Sequence, residues 1–161
     1  MTKKIAILLG RGLEGCGVSQ CARQMQIVTG ADIFYSIDKK WPRSGGMDFP
    51  TNPFSVATEW EGVAAKINEY DLCVIYSVPS TKHPEACQKN FVDMVKAIKV
   101  RKAFINVDHK QASISRNANL AAICENVDVI MTYSLDNAFS KTIAKFGIKK
   151  PFFTMNNGFD F

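Results

Sequence analysis

The chain opens with an apolar run at residues 5–10, a glycine-rich turn at residues 11–19, and apolar positions at helical spacing after the turn. A strand, a glycine turn and a helix in this order can hold an anion, because glycines allow close backbone approach and the first N–H groups of a helix favour negative charge. The turn therefore predicts a ligand site. The structural alternative is a turn that only lets the strand and the helix pack closely.

The spacing of the glycines limits which ligand this turn can hold. Glycines at positions 10, 12, 15 and 17 give G-x-G-x-x-G-x-G, which departs from the dinucleotide fingerprint after its first six positions, and no P-loop lysine precedes Ser19. Asp38 is the one acidic residue near the end of the second predicted strand, where a dinucleotide ribose is bound in such folds. A nucleotide-dependent oxidoreductase is therefore disfavoured.

Strand and helix patterns alternate along the rest of the chain. Strands are predicted at residues 5–10, 31–37, 72–76, 103–107, 127–131 and 151–154. Helical spacing marks residues 18–28, 60–67, 84–98, 120–124 and 139–146, with Gly147 ending the last helix. Residues 39–53 carry three prolines and two glycines and predict a long loop. Six strands alternating with five helices predict a Rossmann-like, doubly wound α/β fold with a mostly parallel sheet.

Ligands of such a sheet bind beyond the carboxyl ends of its strands. That edge is expected to collect residues 10–18, 38–53, 77–82, 108–116 and 134–137. With 161 residues, 47% of them hydrophobic, the chain can bury one core. We expect one domain over residues 1–155, followed at 156–161 by the start of a linker or tail.

Composition narrows the partners and the compartment. Lys and Arg number 20 against 15 Asp and Glu, and the net charge of +5 makes a polyanionic partner plausible. Five cysteines without a C-x-x-C pair favour reduced thiols over a disulfide framework or a zinc ribbon, and no metal-ligand spacing is present. The apolar run after Lys3 and Lys4 is too short for a signal peptide or a membrane span. The expectation is a soluble cytoplasmic protein with no metal and no membrane partner.

The turn RGLEGCGV at residues 11–18 resembles the start of the phage DNA α-glucosyltransferases of the T-even type. Further blocks agree in order, namely YSVPST at 76–81, VDH at 107–109 with SRN at 115–117, and VDVI at 127–130. An eight-residue turn followed by three ordered blocks is far more specific than a glycine motif alone. The resemblance runs from about residue 4 to the end, and a phage DNA arabinosyltransferase would look alike at this level.

The resemblance implies one half of a glycosyltransferase B fold, in which two Rossmann-like domains enclose the active site. It implies a retaining transfer of a sugar from a nucleotide sugar, UDP-glucose in the prototype, to 5-hydroxymethylcytosine in duplex DNA. It also implies that the modification protects phage DNA from host nucleases and takes place in the host cytoplasm. The chain resembles the amino-terminal, acceptor-side domain, so the carboxy-terminal donor domain is a missing partner and complete catalysis by this chain alone is not expected.

Asp108 is the first candidate catalytic residue. The resemblance implies that it orients the acceptor hydroxyl or acts as its base, and helix capping is the alternative role. His109 is the second candidate, as a donor to the sugar or a phosphate, against a purely structural histidine. The family pattern has a histidine immediately before the aspartate, where this chain has Val107. That departure indicates a changed sugar or a weakened donor contact.

Further candidates for binding lie on the same ligand edge. The donor is expected at Gly15, Gly17 and Val18, in the glycine turn and at the helix start. Contacts with DNA or the acceptor base are expected from the polar and basic residues of the ligand edge, which are Arg11, Glu14, Lys39, Lys40, Arg43, Ser80, Thr81, Lys82, Lys110 and Arg116. The alternative roles of these residues are surface salt bridges, helix capping ahead of Pro84, or solvent exposure without a partner. The competing function is a non-catalytic, stand-alone Rossmann module that binds DNA or a nucleotide, suggested by Val107 and by the chain end at Phe161.

Overall fold

Seven strands and five helices form the part of the chain that the computed structural model describes, which is residues 3–10, 17–38, 51–79, 83–106, 118–132 and 138–154. The strands are β1 (Ile5–Leu9), β2 (Asp32–Ser36), β3 (Asn52–Phe54), β4 (Leu72–Ser77), β5 (Arg101–Asn106), β6 (Val129–Thr132) and β7 (Phe152–Thr154). The helices are α1 (Gly17–Thr29), α2 (Trp60–Ile67), α3 (Glu85–Ala97), α4 (Ala118–Glu125) and α5 (Ala138–Lys145).

All the described strands join one parallel sheet in the order β3-β2-β1-β4-β5-β6-β7. The chain builds outward from β1 to β3, returns to place β4 on the other side of β1, and then builds outward to β7. The order therefore reverses between β1 and β4, which is where a doubly wound sheet binds its ligand. The predicted Rossmann-like, mostly parallel fold is confirmed.

Helices cover the sheet from both sides, because nearly every inner strand position is apolar. On one face, α1 packs against side chains such as Ile7, Ile33 and Val74. On the other face, Leu8, Ile75 and other buried side chains join one core with α2, α3, α4 and α5. Helix α2 packs against α3, and α3 packs against α4. The sheet is thus a rigid platform for the loops at its carboxyl edge.

The third strand corrects the sequence interpretation. Residues 39–53 were expected to be a loop, but Asn52–Phe54 pairs in parallel with β2, so that the described sheet has seven strands rather than six. Pro53 has no N–H to donate, and it is tolerated because β3 is the last strand on its side of the described sheet. Phe54 is buried in the core, which gives this short strand its anchor.

Gly147 ends α5 as predicted, in a left-handed conformation with φ of +70°. Its N–H donates to the carbonyl of Ala144 over 2.9 Å, and the N–H of Ile148 donates to the carbonyl of Ile143 over 3.3 Å. These two bonds form the Schellman arrangement, which satisfies carbonyls that a helix end leaves without partners.

Two aspartates hold strands together at the amino edge of the sheet. The Lys4 N–H donates to the Asp71 carboxylate over 2.7 Å, and the Asp71 N–H donates to the Lys4 carbonyl over 2.9 Å, which joins the start of β1 to the start of β4. Lys102 and Asp128 make the same pair of bonds, 2.7 and 2.9 Å long, between β5 and β6. The carboxylates of both aspartates therefore have a structural role, at the edge of the sheet opposite the predicted ligand edge.

Candidate functional site

At the switch point between β1 and β4, Gly10 packs closely against the segment that follows β4. A Cβ on Gly10 would lie 2.5 Å from Cδ of Pro79, 2.7 Å from its nitrogen and 2.9 Å from the carbonyl carbon of Val78. The pairing of β1 with β4 is also irregular here, since the register shifts between Leu8 and Leu9. The first glycine of the motif is thus required for close backbone packing, and this position fits the structural alternative rather than a ligand contact.

The helix after the glycine turn begins at Gly17, with Val18 as its second residue. These two candidate donor-binding residues therefore form the N-terminus of α1, at the carboxyl edge of the sheet. Within the described residues of α1, the first turn carries no acidic side chain that would compete with an anion for the helix N-terminus. Gly15, Arg11 and Glu14 lie outside the described residues.

Asp38, just beyond β2, ties two segments together. Its Oδ2 accepts from the Ser36 hydroxyl over 2.9 Å and from the N–H of Val56 over 2.6 Å, and its Oδ1 accepts from the Ser55 hydroxyl over 2.5 Å. Three of the roughly four acceptor positions of the carboxylate are therefore occupied. Asp38 therefore links β2 to the residues after β3, and its carboxylate is not left to bind a ribose. This agrees with the sequence analysis, which disfavours a nucleotide-dependent oxidoreductase.

Buried polar residues end three of the strands at the ligand edge. Ser36, Asn106 and Thr132 are the last residues of β2, β5 and β6, and none is more than 2% exposed. Sequence reasoning missed them, because it read Ser36 and Asn106 only as parts of strands and ended the sixth predicted strand one residue before Thr132. The available signal was a polar residue directly after the apolar stretch of each strand. At β5 and β6, the Asn106 Nδ2 donates to the Thr132 Oγ1 over 3.2 Å.

A second polar link joins the starts of α3 and α4. The Gln88 Nε2 donates to the carbonyl of His83 over 2.8 Å, and the Gln88 Oε1 accepts from the Asn119 Nδ2 over 3.2 Å. His83 itself is buried directly before α3. One side chain of α3 therefore connects the residue that follows segment 80–82 with the second residue of α4, the helix that follows segment 107–117.

Most predicted site residues lie outside the described part of the chain. Ser80 and Thr81 lie outside the described residues, and the N-cap residue of α3 is Pro84, which has no side-chain group for a capping hydrogen bond. The remaining candidates outside the described residues are Asp108, His109, Lys110 and Arg116, Lys39, Lys40 and Arg43, and Lys82. Their segments follow the carboxyl ends of β5, β2 and β4 respectively in the chain.

The described cysteines serve packing. Burial raises the pKa of both Cys73 and Cys124 to about 12. Burial, and secondarily the nearby charge of Asp38, also raises the pKa of the Cys87 thiol. None of these three thiols is poised as a thiolate nucleophile. Within the described ranges, no cluster of three or more His, Cys, Asp or Glu side chains could hold a metal ion, and no helix is long and apolar enough to cross a membrane.

Fold and site together define a Rossmann-like α/β domain whose ligand edge lies at the β1–β4 switch point. A family model described as DNA alpha-glucosyltransferase matches residues 16–152, and the chain belongs to this family. The resemblance found in the sequence is thereby confirmed. The DNA alpha-glucosyltransferase of Enterobacteria phage T4 is 30% identical over 151 residues, which are 88% of this chain and 38% of the phage T4 protein.

Solved structures give the same result. An alpha-glucosyltransferase in complex with UDP and a 13-mer DNA containing an HMU base matches with a TM-score of 0.84 and 28% identity, over 94% of this chain and 42% of its own. An alpha-glucosyltransferase in complex with UDP-glucose and DNA containing an abasic site matches with a TM-score of 0.82 and 26% identity, over the same shares of the two chains. The chain thus spans about two fifths of the length of these relatives.

Proposed function

We propose that this chain is the amino-terminal, acceptor-side domain of a retaining DNA glycosyltransferase. The reaction is transfer of a sugar from a UDP-glucose-like donor to 5-hydroxymethylcytosine in duplex DNA. The family match over residues 16–152 carries the proposal, and it is supported by the fold shared with an alpha-glucosyltransferase solved with UDP and DNA. Because the chain spans only 38% of its phage T4 relative, we assign the donor domain to the remainder of the enzyme.

The proposal gives each part of the ligand edge a task. Gly15, Gly17 and Val18 meet the donor, since the N-terminus of α1 favours the negative charge that develops on a departing diphosphate. Asp108 accepts a hydrogen bond from the acceptor hydroxyl and raises its nucleophilicity, with His109 beside it. Basic residues of the edge, such as Lys39 and Lys40, hold the DNA backbone. The proposal includes no metal and no cofactor, and the nucleotide sugar is the donor substrate.

Access to the acceptor base requires either approach through the major groove, where the 5-substituent of cytosine lies, or extrusion of the nucleotide at a cost of a few kcal/mol. Segment 80–82, with Ser80, Thr81 and Lys82, is assigned to the base and its phosphates. Arg11, Glu14, Arg43, Lys110 and Arg116 complete the proposed DNA surface. The proposed setting is the host cytoplasm during phage infection, where the modification shields phage DNA from nucleases.

A second candidate function is a non-catalytic module that binds DNA or a nucleotide. Val107 favours it, because this valine stands where the resemblance places a histidine directly before the aspartate. Both candidates predict DNA binding. Only the acceptor-side role predicts that the chain distinguishes 5-hydroxymethylcytosine from cytosine through Asp108.

The test is the ratio of two dissociation constants, for a cytosine duplex and for the same duplex containing 5-hydroxymethylcytosine, measured by competition anisotropy at one salt concentration. A hydrogen bond to a charged group contributes about 1.5–3 kcal/mol, so the modified duplex should bind at least about tenfold more tightly. Asp108→Ala should bring the ratio close to one. A ratio near one for the unsubstituted chain contradicts the acceptor-side role.

Asp93→Ala is the matched control. Asp93 pairs with Lys89 over 2.6 Å on the surface of α3, and the Lys89 side chain is largely exposed, so this ion pair contributes little to stability. Both substitutions remove one carboxylate and change the net charge equally, so any general gain in DNA affinity is common to the two variants. Only Asp108→Ala should change the ratio. An equal ratio in the two variants contradicts the role of Asp108.

A further inference from the structure

The hydrogen bond between Asn106 and Thr132 is an exception within the core. The two residues are direct partners in the parallel pairing of β5 and β6, and both are buried. Two positions earlier on the same face of these strands, Phe104 and Ile130 are apolar and fully buried. An apolar pair could continue this pattern, whereas a buried amide and hydroxyl must be hydrogen-bonded to be tolerated. The polar pair therefore favours one geometry at the strand ends over maximum hydrophobic burial.

This pair lies at the entry to the proposed catalytic segment. Asn106 is the last residue of β5, and Asp108 follows two residues later. Two residues of chain span at most about 7 Å, so the position of Asn106 limits where Asp108 can lie. The bond from the Asn106 Nδ2 to the Thr132 Oγ1 fixes the end of β5 against the end of β6.

We propose that the Asn106–Thr132 hydrogen bond positions Asp108 toward the acceptor hydroxyl. Asn106 and Thr132 are positioning residues in this role, because both side chains are buried and would act on Asp108 through the backbone of β5. The inference rests on the proposed function, since it needs Asp108 to bind the hydroxyl. It adds two residues that neither the glycine turn nor the ordered sequence blocks include.

Thr132→Val tests the proposal most simply. Valine has nearly the shape of threonine and removes only the hydroxyl that accepts from Asn106, while Thr132→Ser keeps that hydroxyl. Thr154→Val is the matched control, because Thr154 is the pairing partner of Thr132 on β7 and its side chain is exposed. Asn106→Ala approaches the same hydrogen bond from the other strand, so the test does not depend on one variant folding.

The readout is the preference for the 5-hydroxymethylcytosine duplex over the cytosine duplex, since a general loss of folding weakens both affinities together and leaves their ratio unchanged. Thr132→Val and Asn106→Ala should reduce the preference from about tenfold to below about twofold, because a charged hydrogen bond is lost when its acceptor is misplaced. Thr132→Ser should restore it and Thr154→Val should leave it unchanged.

The outcomes separate the two claims. If the unsubstituted chain prefers the modified duplex and Thr132→Val keeps that preference, the positioning role is overturned and the proposed function stands. If Thr132→Ser fails to restore the preference lost in Thr132→Val, the hydrogen bond is not the cause and the positioning role is again overturned. If the unsubstituted chain has no preference, the proposed function itself fails.

Discussion

Gly10→Ala is expected to destabilise the domain through a clash at the switch point. The added Cβ would lie 2.5 Å from Cδ of Pro79 and below 3.0 Å from two backbone atoms, the Pro79 nitrogen and the Val78 carbonyl carbon. Carbon atoms in contact prefer separations of about 3.5–4.0 Å, so β1 or the Val78–Pro79 segment must shift. Overpacking of this kind costs about 1–3 kcal/mol.

Gly62→Ala provides the matched control. Gly62 lies inside α2, and a Cβ there would have no atom within 4 Å. Alanine in a helix is more stable than glycine by roughly 0.5–1 kcal/mol. The same chemical change therefore meets no neighbour at Gly62 and a clash at Gly10, and the gain at Gly62 adds to the loss at Gly10. The two variants should therefore differ by about 1.5–4 kcal/mol in the free energy of unfolding.

Thermal unfolding followed by circular dichroism measures this difference. For a domain of this size, 1 kcal/mol corresponds to roughly 2–4 °C in Tm, so Gly62→Ala should melt about 3–16 °C above Gly10→Ala. Urea unfolding at 25 °C should give the same order of stability. A Gly10→Ala variant as stable as the native chain would refute the close packing of β1 against the Val78–Pro79 segment.

Two further predictions concern titration and thiol chemistry. Burial, followed by the hydrogen bond to Asp32, raises the pKa of Tyr70 to about 12, above its ordinary value of 10.0. The resulting stabilisation of the folded state is complete below pH 10 and is lost as the pH rises toward 12. In urea unfolding at a series of pH values, Tyr70→Phe should therefore lose less stability than the native chain over this pH range. An unchanged pH profile in Tyr70→Phe would contradict this role of Tyr70. Cys73 and Cys124 should resist maleimide in the native chain, whereas Cys21, which is half-buried, should react first among the described cysteines. Peptide mass spectrometry locates the label, and early labelling of Cys73 would contradict the burial.

Local patterns were sufficient for most of the fold. The helix of residues 60–67 and the apolar strand at 72–76 were predictable, because their periodicity and β-propensity agree with the final packing. Strand β3 was not predictable in this way. It has three residues, one of them Pro53, and it is held by β2 and by the bonds that Asp38 makes to Ser55 and Val56. Contacts between distant parts of the chain specify it.

The family was predictable from the sequence and is confirmed, whereas the supporting contacts of the candidate site were not predictable. The rule that ligands bind beyond the carboxyl strand ends selects the loops of the candidate site, and their binding roles stay predictions. The sequence could not separate Gly10, which packs against Pro79, from the glycines later in the turn, because the difference lies in the segment that follows the neighbouring strand β4. It also could not show that Asn106 and Thr132 are paired and buried, since their contact depends on the register of β5 with β6.

The mass of the DNA product tests the central claim most directly. The chain is joined to the part of the phage T4 enzyme that it does not match, and the fusion is incubated with UDP-glucose and a duplex containing one 5-hydroxymethylcytosine. The proposed function predicts that the modified strand gains the mass of one hexose, that a cytosine duplex gains nothing, and that Asp108→Ala abolishes the gain. A fusion that binds both UDP-glucose and the modified duplex and yet leaves the DNA mass unchanged would contradict the assignment of this chain as the acceptor side of a DNA glycosyltransferase.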